Sequence, residues 1–394
     1  MRSLLVGLII LTITLLASWI NHRLLAKWFS IYRRGPIRYG YLFATIAVCL
    51  IIGYSWSLRI TAFALPFEEL RYLSYAAFAW IIGQIVLLLF LPLLFLLQYL
   101  MKPTVPAAPS ADDPATLSRR RFLQGALAAA PVMALGIGAS GVLSATGTPV
   151  VRRFSLAFPS APGLSGFKIA QISDTHVGAY VSVEQFSRIV ALVEKEQPDL
   201  VVLTGDFVDD LGLLTPSVKI LSALAPAIPH GVYFCWGNHE YFRDIGRIRS
   251  ELRNSPITIL ENSSTPIMAG QQPLHLLGVD YPWTNTPEAR RRLLALARKN
   301  VPPDAFTVLL AHHPDFLFES FAAGIPLTLS GHSHGGQVVV FGKTLLPFPY
   351  VYMRGLYQGN QVYGYVNSGA GHWFPYRFGC PPEISIFTLN SASA

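Results

Sequence analysis

The hydrophobic and polar positions divide this 394-residue chain into two parts. The first part contains long apolar stretches without a charged residue, at 3–20, 41–58 and 72–101. Each stretch, as a helix, is long enough to cross about 30 Å of hydrocarbon. A fourth apolar stretch at 122–147 is richer in glycine and alanine. The pattern predicts a membrane region with three transmembrane helices at 1–102, followed by a fourth segment that is transmembrane or signal-like.

In the second part, the apolar runs are shorter and alternate with other segments. From residue 167 onward, short apolar runs alternate with amphipathic segments such as 183–197. Nearly continuous apolar runs of strand length are typical of strands buried on both faces. Strands that alternate with helices predict an α/β sheet. The sequence therefore predicts an α/β domain at 151–394. A Pro/Ala-rich linker at 103–121 joins the three-helix membrane region to the fourth apolar segment, which precedes this domain.

The charge is unevenly distributed between the two parts. Residues 1–150 contain 12 Lys and Arg against 4 Asp and Glu, whereas residues 151–394 contain 18 of each class. All of the excess adjoins the apolar stretches, so it indicates membrane topology, and no nucleic-acid partner is expected. The three cysteines, Cys49, Cys235 and Cys380, are too widely spaced to predict a disulfide framework or a thiolate metal site.

The loop charges also predict an orientation. Residues 21–40 contain five Lys and Arg and no acid, whereas residues 59–71 contain two of each. Positively charged loops stay in the cytoplasm. The motif SRRRFLQ at 118–124 fits a twin-arginine export signal, although its arginines could instead anchor a helix. Both signals place residues 151–394 outside the cytoplasm, with the twin-arginine export machinery as a partner.

Five of the apolar runs end in polar clusters. In α/β sheets, ligands lie beyond the carboxyl ends of the strands, so these clusters are expected to converge. The candidate metal ligands are Asp174, His176, Asp206, Asn238, His312, His332 and His334. Oxygen and imidazole ligands without sulfur suit Mn, Fe or Zn. Seven ligands exceed the need of one ion, so we expect two divalent metal ions about 3.5–4 Å apart that share a carboxylate.

The clusters stand in the order DTH, GDFVD, GNHE, HHP and GHSHGGQ. They resemble the DxH, GDxxD, GNHE, H and GHxH motifs of the calcineurin-like metallophosphoesterases, over about residues 167–390. The GHSHGGQ form and the tail from Asn367 resemble a bacterial subgroup that is often membrane-anchored or exported. The resemblance implies a four-layer αββα sandwich, preceded here by the helical transmembrane region, in the cytoplasmic (inner) membrane of a bacterium.

The resemblance also implies roles for the matching residues. It implies a first metal held by Asp174, His176 and His334 and a second metal held by Asn238, His312 and His332. Asp206 would bridge the two ions. His239 would be the catalytic general acid, oriented by Asp209. His313 matches no ligand of the family, and we expect it beside the site or on the surface.

The chain departs from two branches of this family. Phosphoprotein phosphatases continue GDxxD with Arg-Gly, where this chain has Asp210 and Leu211. Purple acid phosphatases have a ferric-binding tyrosine where this chain has Asp209. Both branches are therefore disfavoured.

The predicted function is that of a metal-dependent phosphoesterase, in particular a phosphodiesterase. A hydroxide that bridges the two metals would attack phosphorus in line, and His239 would protonate the leaving oxygen. The expected substrate is a phosphate ester, lipid-linked or envelope-derived. Two alternatives stay open. One is a cytoplasmic-facing lipid-nucleotide pyrophosphohydrolase, and the other is a non-catalytic membrane sensor or assembly protein.

Overall fold

The structure is a computed structural model and describes residues 2–60, 68–100, 114–159, 161–269, 272–346 and 349–391. It divides into two compact units, Met1–Leu143 and Ser144–Ala394. Of the predicted linker, residues 103–113 lie outside the described residues, and residues 114–121 form the start of a helix.

The N-terminal unit is helical. Its helices are α1 (Arg2–Trp28), α2 (Gly35–Ile60), α3 (Glu68–Leu100) and α4 (Pro114–Thr146), with a 3-10 turn at Ser30–Arg33. Within the described residues, four helical segments are long and apolar enough to cross a membrane: Gly7–Trp28, Gly35–Tyr54, Leu70–Leu93 and Ala128–Thr146. The protein is therefore membrane-associated.

Two kinds of contact hold these helices together. Close backbone approach joins α3 to α4, since a Cβ atom on Gly138 would collide with the carbonyl oxygen of Ala79. A buried polar pair joins α1 to α3, where Asn21 Nδ2 donates to the backbone carbonyl (2.7 Å) and to Oε1 (3.0 Å) of Gln84. Small residues and interhelical hydrogen bonds are the contacts that stabilise helix pairs in lipid, where the hydrophobic effect does not act between helices.

The second unit contains two six-stranded sheets. The first sheet has the order β1 (Val150–Ala157), β14 (Glu383–Asn390), β2 (Lys168–Ile172), β3 (Leu200–Thr204), β4 (Val232–Cys235) and β5 (Ile257–Ile259). The second sheet has the order β12 (Gly355–Gln358), β13 (Tyr363–Val366), β9 (Leu327–Ser330), β8 (Phe306–Leu310), β7 (Gln272–Gly278) and β6 (Ser263–Ala269). A separate two-stranded hairpin joins β10 (Val339–Val340) to β11 (Lys343–Thr344).

Helices cover the outer face of each sheet. The helices of this unit are α5 (Val183–Lys195), α6 (Leu214–Leu224), α7 (Asn238–Phe242), α8 (Ile245–Arg253), α9 (Pro287–Arg298) and α10 (Phe316–Ala322). The first sheet packs against α5, α6 and α8, and the second against α9 and α10. The amphipathic segment predicted at 183–197 forms α5, which begins with a capping box between Ser182 and Gln185.

Alternating strand residues build the layers. In β3, Leu200 and Val202 face the core between the sheets, and Val201 and Leu203 face the helices. Each fully buried side chain of this size contributes about 1.5–3 kcal/mol. The predicted four-layer αββα sandwich is therefore confirmed. The strands β2, β3 and β4 are parallel neighbours in one sheet, and β8 and β9 are parallel neighbours in the other.

Candidate metal centre

The five polar clusters follow β2, β3, β4, β8 and β9, and they converge. Three overlapping groups bring ligand atoms within 4.8 Å of one another: Asp174, His176 and His334; His176, Asp206 and His239; Asp206, His312 and His332. Asn238 joins the third group, since its Oδ1 atom lies 3.2 Å from His312 Nε2. All seven residues predicted as metal ligands thus lie together.

The backbone at these positions is strained. Five of the predicted ligands have positive φ angles: Asp174 (52°), His176 (47°), Asp206 (55°), His332 (71°) and His334 (49°). Each such conformation costs a non-glycine residue about 1–3 kcal/mol and persists where the surrounding structure enforces it, often at functional sites. Here the strain turns side chains from several strand ends toward one point.

Two glycines let the strand ends approach each other. A Cβ atom at Gly237 would collide with the carboxylate of Asp206, and one at Gly331 would collide with Ser173 and Asp174. Steric crowding therefore explains why glycine occupies the first position of both GNHE and GHSH in this chain. Glu240 completes the support, since its buried carboxylate accepts the backbone N–H groups of Phe207 (2.7 Å) and Gly237 (2.8 Å).

We call Asp174, His176 and His334 the first half of the site. The Nε2 atoms of His176 and His334 lie 3.0 Å apart, and Asp174 Oδ1 lies 3.5 Å from His334 Nε2. Burial and the neighbouring guanidinium of Arg377 hold the pKa of His334 well below its usual range. His334 is therefore a neutral imidazole, which is the form that binds metals.

We call Asn238, His312 and His332 the second half. The Nδ1–H group of His312 donates to the carbonyl of Thr204 (2.7 Å), so its Nε2 atom faces the site. Two oxygen acceptors and a ring nitrogen surround that atom: Asn238 Oδ1 (3.2 Å), Asp206 Oδ2 (3.2 Å) and His332 Nδ1 (3.1 Å). Acceptors this close repel one another unless a proton or a cation lies among them. The donor set therefore fits a divalent metal ion.

The pKa of His312 also shows that the surrounding groups favour a positive charge at this position. Burial lowers this pKa, but Asp206, Asp174 and the hydrogen bond to Thr204 together raise it to about 10. Asp206 also links the two halves, because its Oδ2 atom lies 3.2 Å from His312 Nε2 and 3.6 Å from His176 Nε2. A carboxylate in reach of both halves is what a pair of metal ions requires.

His239 and Asp209 form a pair beside the ligands. His239 Nδ1 lies 2.6 Å from Asp209 Oδ1, and the His239 side chain is 18% exposed. Burial lowers the pKa of His239, but Asp209 and Asp206 together raise it to about 9. His239 is therefore protonated at neutral pH, and its ring reaches the open side of the site.

His313 is buried, so the alternative that it lies on the surface is wrong. Its Nδ1 atom accepts the backbone N–H group of Asp315 at 3.2 Å, and its ring packs against His332. Among the described residues, it belongs to none of the three ligand groups. It lies beside the site and supports His332.

Sequence analysis missed two residues that, in the described part of the chain, form hydrogen bonds with the ligand rings. Arg377 is fully buried, and its Nη2 atom donates to His334 Nδ1 (2.8 Å) and to the carbonyl of Gly371 (2.6 Å). The hydroxyl of Tyr350 lies 2.9 Å from His332 Nε2. Such partners fix the orientation of metal-binding rings. The signal for Arg377 was a lone arginine in the aromatic run FPYRFG, because a buried arginine needs partners.

Aromatic side chains line the open side of the site. The ring of His239 contacts Phe242 (5.4 Å), and Phe242 contacts Trp283 (5.9 Å). Tyr281 in turn contacts Trp283 (5.0 Å) and His332 (5.6 Å). Phe242 and Trp283 are 57% and 54% exposed. A ligand that reaches the metal centre therefore meets aromatic surface.

Comparison with known proteins agrees with this geometry. The family model of the calcineurin-like phosphoesterases matches residues 167–336. The Escherichia coli protein phosphodiesterase YaeI is 30% identical over 283 residues, which cover 69% of this chain and 99% of YaeI. The chain belongs to the calcineurin-like phosphoesterase family. It is therefore a phosphoric ester hydrolase, and its site is suited to two divalent metal ions.

The chain is also similar to two further relatives and to part of a solved structure. The uncharacterized metallophosphoesterase YkuE of Bacillus subtilis is 29% identical over 289 residues, which cover 70% of this chain and 99% of YkuE. A transmembrane protein with metallophosphoesterase domain from Bos taurus is 28% identical over 365 residues, 88% of this chain and 80% of that protein. Among solved structures, a 5'-nucleotidase precursor of Thermus thermophilus aligns with TM-score 0.34 at 17% identity, over 52% of this chain and 49% of that chain.

Proposed function

We propose that this protein is a phosphodiesterase with two metal ions, one held by each half of the site and both bound by Asp206. The observation that carries the proposal is the convergence of acceptor atoms on His312 Nε2 beside a separate, protonated His239. When bound, the two cations lower the pKa of water and neutralise charge on the phosphate oxygens.

The protein's own residues account for the departure of the leaving group. Asp209 accepts the Nδ1–H group of His239, which leaves the proton at Nε2 free to move to the departing oxygen. The backbone N–H group of His239 donates to Asp206 Oδ1 (2.9 Å), so the backbone of this residue is fixed as well as its ring. A fixed, protonated imidazole near the reacting group is the arrangement that general acid catalysis needs.

The surroundings of the site favour a diester over a monoester. Two arginines contact the site residues, and both have partners: Arg243 contacts Asp209 (3.3 Å) and Arg377 contacts His334 (2.8 Å). A monoester dianion calls for more positive charge than a diester, which carries one negative charge. The printed name of the relative YaeI, a phosphodiesterase, agrees with this choice.

An apolar group on the substrate is a further part of the proposal. The segment around Tyr350, whose hydroxyl lies 2.9 Å from His332 Nε2, exposes Phe341 (99%), Leu345 (59%) and Val351 (68%). Large exposed apolar patches mark contact with apolar partners. Together with the membrane helices, they favour a lipid-linked or envelope-derived phosphate ester.

We also propose that the catalytic unit lies outside the cytoplasm of a bacterium. The loop charges support this topology, and SRRRFLQ forms the first turns of α4, before its apolar part. Reporter enzymes fused after Ala394, one active inside and one outside, would test it. Signal from the inside reporter would overturn the topology. Export of the Arg119→Lys, Arg120→Lys double variant would exclude only the twin-arginine route.

The activity test uses the purified full-length chain in detergent, loaded separately with Mn, Fe or Zn. We expect bis(p-nitrophenyl) phosphate to be hydrolysed faster than p-nitrophenyl phosphate. We also expect an intact phospholipid diester to be hydrolysed faster than its deacylated head group. A His334→Ala variant controls for contaminating phosphatases. Faster hydrolysis of the monoester would contradict the diesterase proposal, and equal rates for lipid and head group would contradict the apolar substrate.

A further inference from the structure

A second candidate binding site lies in the N-terminal unit, on one face of the hairpin formed by α1 and α2. It is a groove of about 980 Å³, which is at the upper end of the range for small-ligand sites. The groove is lined by Leu15, Leu16, Ser18, Trp19, His22, Arg23, Ala26, Lys27, Tyr32, Arg33, Arg38, Tyr41, Leu42 and Thr45. Their helical spacing shows that one face of each helix forms the groove.

The two ends of the groove differ in chemistry. Four cations lie at the end nearest the connection between the helices: Arg23, Lys27, Arg33 and Arg38. The leucines at 15, 16 and 42 and the ring of Trp19 lie farther along the helices. Eight residues separate Leu15 from Arg23, which is about 12 Å of helix. The groove is therefore cationic at one end and apolar at the other.

Within the described residues, no acidic side chain neutralises these cations. Residues 21–40 contain no Asp or Glu, and within the described part of the chain no ion pair involves the four groove cations. Arg23 lies over the ring of Trp19, 5.4 Å from its centroid. The basic end of the groove can therefore bind an anion without breaking an ion pair among the described residues.

Two residues that line the groove also have a buried polar atom without a partner in the described part of the chain. Ser18 is only 2% exposed, and its Oγ atom makes no hydrogen bond within the described residues. His22 Nε2 is likewise buried without a partner in that part of the chain. Both atoms are shielded from solvent, so recognition of a ligand in the groove rests on its cations and leucines.

We propose that this groove binds one anionic glycerophospholipid, with its phosphate at the basic end and an acyl chain along the leucines. Basic pockets between transmembrane helices are suited to anionic head groups. The site is independent of the proposed catalysis, because every groove residue belongs to the N-terminal unit. Arg34 provides a control, since it lies in the same connection but does not line the groove.

The test is native mass spectrometry of the full-length chain in neutral detergent, titrated with phosphatidylglycerol or phosphatidylcholine. We expect one phosphatidylglycerol per chain at concentrations where phosphatidylcholine does not bind. Arg33→Gln and Arg38→Gln should each weaken binding about fivefold, and the double variant about 25-fold. Arg34→Gln should weaken it less than about twofold, since Arg34 lies outside the groove. Circular dichroism in the same detergent verifies that each variant is folded.

Three outcomes would overturn the proposal. Equal losses from Arg34→Gln and Arg38→Gln would show a general attraction of the loop to anionic lipid. Equal binding of the two lipids would show a site without charge selectivity. Displacement of phosphatidylglycerol by the same concentration of glycerophosphoglycerol would show a simple anion site. If a glutamine variant does not fold, Leu16→Gln in the apolar end provides the comparison, with an expected loss of about fivefold.

Discussion

The two halves of the metal centre share one carboxylate but differ in their surroundings. The first half is enclosed: Asp174, His176 and His334 are 0%, 1% and 3% exposed. The ring nitrogen of His334 that points away from the site meets a buried guanidinium. In the second half, His332 is partly exposed, and its outer nitrogen meets the hydroxyl of Tyr350.

This difference predicts that the two halves bind their ions with different affinity. Enclosed ligands with fixed outer partners retain a cation, because the rings cannot turn away and water cannot easily replace them. A partly exposed ligand beside aromatic rings allows exchange and leaves room for substrate. We therefore expect the first half to bind its ion more tightly, and the second half to form the wall that the substrate meets.

The variant Asp206→Asn is expected to have the largest effect, because it changes the residue that both halves share. One carboxylate oxygen is replaced by an amide nitrogen, which cannot bind a cation. We expect turnover to fall about 10³-fold or more, since each metal supplies several kcal/mol of charge stabilisation. Elemental analysis of the purified variant should find fewer than two ions per chain. Two retained ions would refute the shared carboxylate.

The variant His239→Ala should separate catalysis from metal binding. Both halves stay intact, so we expect two ions per chain and a loss of turnover of about 10²–10⁴-fold. The loss should be larger for an alkyl ester than for a nitrophenyl ester, because a poor leaving group needs the proton most. Equal losses on both esters would contradict a leaving-group acid.

The sequence contained enough information to predict that the seven candidate ligands converge, but not the difference between the two halves. Each ligand lies in a short motif after an apolar run, and strand ends converge in any α/β sheet. Arg377, by contrast, follows His334 by 43 residues and reaches it through the segment after β13. Tyr350 lies in an irregular segment that no periodicity describes. Long-range contacts of this kind depend on tertiary packing, which local patterns do not encode.

A pair of single variants would measure how the outer partners of the ligand rings affect metal binding in each half. Arg377→Met removes the donor to His334 Nδ1, and Tyr350→Phe removes the hydroxyl beside His332. Loss of such a partner typically weakens metal binding about 10–100-fold. We expect Arg377→Met to weaken the tighter of two binding steps in calorimetric metal titration, and Tyr350→Phe to weaken the other step by about tenfold.

The control for this pair is thermal unfolding of the metal-free proteins. Tyr350→Phe should unfold like the parent protein. Arg377→Met leaves the carbonyls of Ser368 and Gly371 without their donor, so some destabilisation is expected. Arg377→Lys retains a cation and should partly restore the tighter step. If both variants weaken the same step, the two halves do not bind separate ions.

The smallest expected effect is a change in pH dependence, produced by two residues that act on His239 with opposite signs. Asp209 raises the pKa of His239, whereas the guanidinium of Arg243 lowers it. A general acid must be protonated, so kcat falls as the pH rises through this pKa. Asp209→Asn should therefore move the alkaline limb of kcat to lower pH, and Arg243→Gln should move it to higher pH.

The carboxylate of Asp209 remains beside His239 when Asp206 binds cations, so the first shift should persist in the metal-loaded enzyme. The measurement is the pH profile of kcat on an alkyl diester with both ions bound. Shifts in the same direction would show that the limb belongs to another group.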